Sequence, residues 1–352
     1  MKMTFRWYGP KDPVTLDNIR QIPAMSGVVT ALYTIPVGQA WDLDSILELK
    51  KQINAKGLEM EVIESVPVHE SIKLGEPSRD ALIENYITTI RNLSKAGVKV
   101  ICYNFMPVFD WVRSELKFVT DDGSNCLAYK QTTVDALDPR TKSLSLPGWD
   151  ESYTKEELAE LLRKYESVDE KKLFDNMVYF LKKIIPVCEE CDVKMAVHPD
   201  DPPWSLFGLP RIIRDEEHID KLFAAVNSKY NGLTLCTGSL GANRDNDLVK
   251  MAEKYAKMDR VHFVHARNIS FRDTEDGSLF FNESPHPTEC GSLDIYGIMR
   301  ALHDAGFEGY VRPDHGRNIW GEDRRPGYGL YDRALGATYL LGLWEAIEKS
   351  KK

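Results

Sequence analysis

Apolar residues along this chain fall into two alternating patterns. Short runs of β-branched and aromatic residues are followed by longer segments in which apolar positions return every three or four residues. The runs are Met3–Tyr8, Val28–Tyr33, Leu58–Ile63, Val98–Tyr103, Val193–Val197, Leu233–Leu235, Arg260–Val264 and Gly309–Arg312. The periodic segments include Val14–Ile22, Asp42–Ala55, Arg79–Ala96, Lys171–Cys191, Glu217–Lys229, Asn246–Lys257, Leu293–Ala305 and Tyr331–Lys349. In the second of these, Ile46, Leu47, Leu49 and Ile53 share one side. Gly57, Gly97 and Gly306 close helices with short links into the next strand. Strict alternation predicts parallel strands, and eight of them predict an α/β fold, a (β/α)₈ barrel. The expected organisation is one barrel domain over 1–352, ending in a C-terminal helix at 331–352.

The long connections all follow strands. The largest, 104–170, carries Phe105, Phe109, Trp111, Tyr129, Trp149 and Tyr153. So many aromatic residues predict a packed, lid-like insertion rather than a linker. A second long loop covers 266–291. Loops after strands lie on the carboxyl face of a barrel, where such enzymes keep their sites.

Composition narrows the function. The chain has 352 residues, 43% hydrophobic and 28% charged, with a formal charge of −9. That acidity argues against nucleic acid as a partner. The longest apolar runs are far below the roughly 20 residues that span a bilayer. The N-terminus enters a strand directly, without the apolar stretch of a secretory signal. Six cysteines, sparse for the length, fit free thiols in a reducing compartment, and a cytoplasmic location is expected.

Four segments each deliver a metal-ligating residue to a strand end: VKMAVHPDD at His198, GLTLCTG at Cys236, RVHFVHARN at His265 and GYVRPDHG at Asp314. The spacings of 38, 29 and 49 residues are those of successive βα units. Neighbouring strands run about 4.8 Å apart, so adjacent rim positions can share one ion. Alternation gives a consistency test. If the four face inward, Ala196 and Phe263 do too, while Val193, Met195, Val197, Leu233, Leu235, Val264, Val311 and Pro313 face the helices. Arg312 then points inward one layer below Asp314. His262 has the opposite parity and reads as structural. A lone cysteine at a strand end is usually a small buried hydrophobe, and a lone histidine a hydrogen-bonded core residue. Four at equivalent positions argue for a site. Cys188 and Cys191 form a CxxC without a second pair and read as helix packing. His69, His218 and His303 have no partner pattern, whereas His286 is placed to reach the site.

These segments resemble the mannonate dehydratases, sugar-acid dehydratases of the xylose-isomerase-like barrels. The resemblance rests on RWYG at 6–9, VHPDDPP at 197–203, CTGS at 236–239, HARN at 265–268, RPDHG at 312–316 and PGYG at 326–329, and covers essentially the whole chain. It implies dehydration of D-mannonate to 2-keto-3-deoxy-D-gluconate in hexuronate catabolism. It also implies one Mn²⁺ or Fe²⁺ per subunit on His198, Cys236, His265 and Asp314. His315 and Tyr328 would then transfer protons, and the protein would be a homo-oligomer, a dimer or tetramer.

The reaction removes a proton beside a carboxylate and a hydroxide from the next carbon. It calls for charge stabilisation and a general acid. The substrate carboxylate calls for a cation, and Arg267 is favoured because it shares the face of His265; Arg6 and Arg317 are further candidates. A thiolate with two imidazoles suits Zn²⁺ by softness, whereas the resemblance implies Mn²⁺ or Fe²⁺. The competing readings are an aldose–ketose isomerase on the same barrel and a non-catalytic metal or sugar-acid binding protein.

Overall fold

The structure, a computed structural model, describes residues 1–139 and 153–351. Twelve strands are present among them: β1 (Lys2–Arg6), β2 (Gly27–Thr30), β3 (Glu59–Glu64), β4 (Val100–Tyr103), β5 (Glu115–Val119), β6 (Asn125–Lys130), β7 (Lys194–Val197), β8 (Asn231–Cys236), β9 (Val261–Ala266), β10 (Asn268–Phe271), β11 (Phe280–Ser284) and β12 (Tyr310–Pro313). Eight of them close a parallel barrel in the order β1-β12-β9-β8-β7-β4-β3-β2. These are the eight expected strands, with ends shifted by at most three residues. The helix Leu43–Asn54 starts where Asp42 caps the Ser45 amide, and it buries Ile46, Leu49 and Ile53. Leu47 is exposed instead, because it falls outside that stripe.

The parity expectation holds. Val29, Val62, Val100, Cys102, Ala196, Phe263 and Tyr310 form a separate apolar cluster inside the barrel. Met195, Val197, Leu233, Leu235, Val264 and Val311 belong to the larger core shared with the helices. His262 is buried on the outer side, where a Cβ on Gly232 would strike its ring. Burial pushes its pKa down to about 3.

The two long connections are not plain loops. The first contains β5, β6 and the helix Lys155–Tyr165; the second contains β10 and β11. Together the four strands form a separate sheet in the order β10-β11-β6-β5. Each hairpin turns at an Asp-Gly, Asp122-Gly123 and Asp276-Gly277, with both glycines at positive φ. β6 joins β11 in antiparallel register, Tyr129 opposite Phe281, and these rings stack at 5.5 Å. Trp149 falls within 140–152, outside the described residues. The C-terminal helix runs Tyr331–Ser350. None of the described helices is long and apolar enough to cross a membrane.

Phe281 is fully buried where the two insertions meet. Phe281→Ala is expected to cost about 3–5 kcal/mol, the usual range for emptying an aromatic core position. Urea unfolding monitored by circular dichroism measures it, and a cost below about 1 kcal/mol would show that the two hairpins do not depend on each other.

A candidate active site at the carboxyl end of the barrel

Sheet register sets the site's geometry. Cys236 ends β8 directly beside His265 of β9, and His265 also pairs with Arg312 of β12. The His198 amide donates to the Tyr103 carbonyl at 2.7 Å, and the Asp314 amide to the Ala266 carbonyl at 2.9 Å. Strand-end hydrogen bonding therefore delivers all four expected ligands to one rim. The side chains of His198, Cys236 and His265 converge, their ligand atoms lying within 4.8 Å of one another. Asp314 stands beside them, 3.6 Å from Cys236 Sγ and 4.0 Å from His265 Nδ1.

His198 Nδ1 lies 2.7 Å from the Pro199 carbonyl, which can only accept. That contact places the proton on Nδ1 and leaves Nε2 as a donor atom for the cluster. Burial alone would lower the His198 pKa, but Cys236 and Asp314 raise it to about 9, so Nε2 also carries a proton at neutral pH, which a cation binding there would displace. Burial alone would raise the Cys236 thiol, but Arg267 and His198 bring it down to about 5, so a thiolate stands at neutral pH. His265 Nε2 is buried without a hydrogen bond, although Glu64 Oε2 is 3.2 Å away. A thiolate, a tautomer-fixed imidazole and an orphaned imidazole nitrogen, with a carboxylate beside them, form a donor set that fits a divalent ion.

Around this cluster the motifs interlock. Arg267 is fully buried and contacts Asp201 at 2.8 Å, Glu283 at 3.1 Å and Asp314 at 3.5 Å. Thr237 Oγ1 pins its backbone by accepting from the Arg267 amide and donating to its carbonyl. Gly238 lets the guanidinium pass, because a Cβ there would run into it. Arg312 binds Glu64 at 3.1 Å and Asp314 at 2.8 Å, and with Arg267 and His315 it holds the Asp314 carboxyl well below its usual range against burial. Asp201 receives a bidentate pair from Arg113 at 2.8 and 3.0 Å.

His315 and Tyr328 meet at 3.0 Å, His315 Nε2 to the Tyr328 hydroxyl. The other ring nitrogen, Nδ1, lies 2.7 Å from Glu283 Oε1, with Arg267 Nη1 at 2.8 Å. A proton on Nδ1 donated to Glu283 leaves Nε2 to accept from Tyr328. Burial raises the Tyr328 phenol well above its usual value, so it stays protonated. The Tyr8 ring packs edge-on against Tyr328 at 4.9 Å, which brings RWYG to PGYG.

The structure revises the arginine expectations. Arg267 lines the cavity, but its terminal nitrogens are held by Asp201 and Glu283, and its Nε, which makes no hydrogen bond, stands 3.5 Å from Asp314. Arg6 lies in the cavity wall but is committed to Glu64, bonding its carbonyl and standing 3.6 Å from its carboxylate. Arg317 is tied to Asp332 at 2.9 Å and Asp122 at 2.7 Å, away from the cavity lining. His286 is buried beside Gly336 of the C-terminal helix and does not line the cavity. Sequence reasoning missed Glu64, Asp201, Glu283 and Arg113. Glu64 ends a barrel strand and was open to the same rim argument as His198, Cys236, His265 and Asp314. Glu283 and Arg113 lie in segments read as loops, so no facing could be assigned to them.

The cavity over this cluster has a volume of about 1160 Å³, ample for a small polar substrate. Fold and site define a xylose-isomerase-like (β/α)₈ barrel with its polar cluster at the carboxyl face. Solved structures agree on the fold: a xylose isomerase-like TIM barrel protein from Mycobacterium smegmatis superposes with TM-score 0.59 at 14% identity, covering 94% of this chain and 87% of that one. The D-mannonate dehydratase (UxuA) family model matches residues 1–352. Mannonate dehydratase of Thermotoga petrophila is 58% identical over 100% of this chain and 99% of its own. That of Streptococcus agalactiae serotype III is 54% identical over the full length of both. The crystal structure of mannonate dehydratase from Streptococcus suis serotype 2 superposes with TM-score 0.92 at 48% identity, covering 100% of this chain and 96% of that one. The chain belongs to the mannonate dehydratase family and is a hydro-lyase acting on the sugar acid D-mannonate.

Glu283 orients His315 and neutralises two arginines. Glu283→Gln is expected to lower kcat by roughly 10²-fold, the lower range for impairing a proton-transfer group. Steady-state kinetics on the folded variant measure this, and an unchanged kcat would reduce Glu283 to a packing role.

Proposed function

We propose that this chain dehydrates D-mannonate to 2-keto-3-deoxy-D-gluconate at a single divalent metal, Mn²⁺ or Fe²⁺, per subunit. The observation that carries the proposal is the convergence of His198, Cys236 and His265, with Asp314 beside them, directly below the His315–Tyr328 pair. These four residues would hold the ion. When bound it would supply positive charge for the anion that develops as the substrate loses its C2 proton.

The protein's own groups fit the remaining steps. The C2–H bond breaks and its electron pair forms the C2–C3 double bond, while the C3–O bond breaks. His315, held by Glu283 through Nδ1, is suited to take the C2 proton on Nε2, the nitrogen that faces Tyr328. Tyr328, kept neutral by burial, is suited to protonate the departing hydroxide as water. The resulting enol gives up its C2 hydroxyl proton and takes a proton at C3, and so becomes the 2-keto acid. Trp111, whose ring centroid is 5.4 Å from that of His315, roofs the pair and helps exclude water. The 104–170 insertion is the lid in this reading.

All six cysteines are free, which supports a reducing cytoplasm and hexuronate catabolism there. A homo-oligomer, dimer or tetramer, is supported by an exposed apolar patch in which Trp320 and Tyr331 lie 5.7 Å apart with Leu335 one turn further along the helix.

Removing metal with a chelator under anaerobic conditions is expected to abolish 2-keto acid formation, and Mn²⁺ or Fe²⁺ to restore it. Cys236→Ser should lower the bound metal, read by elemental analysis, from one per subunit. Full turnover by verified metal-free protein would sink the metal assignment. His315→Asn and Tyr328→Phe are each expected to lower kcat by about 10²–10⁴-fold with metal content unchanged. If either retains full turnover, its proton-transfer role is withdrawn.

A further inference from the structure

The substrate carries a carboxylate, and the site must recognise it. The wall of the site supplies little net positive charge for that task. Three arginines of the lining, Arg6, Arg267 and Arg312, face three carboxylates of the lining, Glu64, Asp201 and Asp314, through direct ion pairs, and Arg113 and Glu283, outside the lining, pair with each other and with this network. The two lysines that line the cavity are also committed: Lys73 to Glu70 at 2.6 Å, and Lys164 to Glu76 at 2.9 Å.

Arg325 differs from all of these. It lines the same cavity, is exposed, and its guanidinium has no hydrogen bond or ion pair among the described residues. Its position is nonetheless defined. The guanidinium carbon lies 4.1 Å from the centre of the Tyr8 ring and 6.0 Å from that of Tyr328. The Arg325 carbonyl accepts the Tyr328 amide at 2.8 Å, so the two residues share one turn. Stacking on Tyr8 leaves the in-plane N–H edges free, and those edges match a carboxylate bidentately.

We propose that Arg325 binds the substrate carboxylate, with Tyr8 as the residue that positions it. The RWYG segment then acts twice, packing against Tyr328 and presenting Arg325. The carboxylate would be held on the Tyr328 side of the cavity, where the Arg325 guanidinium carbon lies 6.0 Å from the Tyr328 ring centre. Recognition at this point selects an aldonate over the corresponding neutral polyol or aldose, because Arg325 is the lining cation that no carboxylate holds among the described residues.

The inference rests on the dehydratase activity of the chain, and turnover by the parent protein in the same assay keeps a failure of that activity distinct. Arg325→Gln is expected to raise KM for D-mannonate by roughly 10- to 100-fold, the scale of one charge-assisted bidentate pair, with kcat changed far less. Arg325→Lys should recover part of the loss, as a point charge without the fork. Competition separates charge recognition from a general disturbance. The inhibition constant of D-gluconate should rise with KM, while that of its uncharged reduced form, D-glucitol, stays constant. Tyr8→Leu should raise KM in the same direction by a smaller factor. An unchanged KM in Arg325→Gln, or equal weakening of D-gluconate and D-glucitol, would overturn the proposal.

Discussion

The structure depends on one buried guanidinium. Arg267 sits within reach of Asp201, Glu283, Asp314, His315 and the Cys236 sulfur, and it is 1% exposed. Taking such charges out of water costs several kcal/mol per ion, which is recovered only when every partner is in place. Arg267 thereby ties together the strand ends that carry the ligand cluster, the inserted hairpin that carries Glu283, and the segment that carries His315. Loss of one partner would leave a bare charge in a medium that cannot solvate it. Rigidity at the rim follows from this accounting of charge. So does the small claim of Arg267 on a substrate carboxylate, because Asp201 and Glu283 already hold both its terminal nitrogens.

The two insertions matter for the same reason. A barrel rim supplies side chains from below the substrate only. The sheet formed by β5, β6, β10 and β11 stands above the rim and reaches back into it. Glu283 comes down from β11 to His315, and Arg113, just before β5, comes down to Asp201 and Glu283. The His315–Tyr328 pair is thus held between a barrel strand, an inserted sheet and a loop against Tyr8. Side chains held by separate elements keep their geometry when any one of them fluctuates, which is what the proton-transfer role proposed for this pair requires.

Much of this was legible in the sequence, for identifiable reasons. Strand side chains alternate with a period of two, so one inward residue sets the facing of its neighbours. Ala196 and Phe263 inside the barrel, and His262 outside it, follow from that rule alone. The hairpins were equally available. Glu115–Val119 alternates, and Asp-Gly marks each turn, yet long connections between barrel elements were read as loops because their strands pair with each other rather than with the barrel.

The sequence by itself determined the barrel, its enzyme face, and which residues reach the rim, because these depend on local periodicity and on the order of elements. It also carried the family, through short motifs at strand ends. Only the tertiary structure decided which charges pair. Arg6, Arg267 and Arg317 are indistinguishable as letters, and each is neutralised by a carboxylate from a remote segment: Glu64, Asp201 with Glu283, and Asp332 with Asp122. Ion pairing depends on distance in space, which periodicity along the chain does not encode.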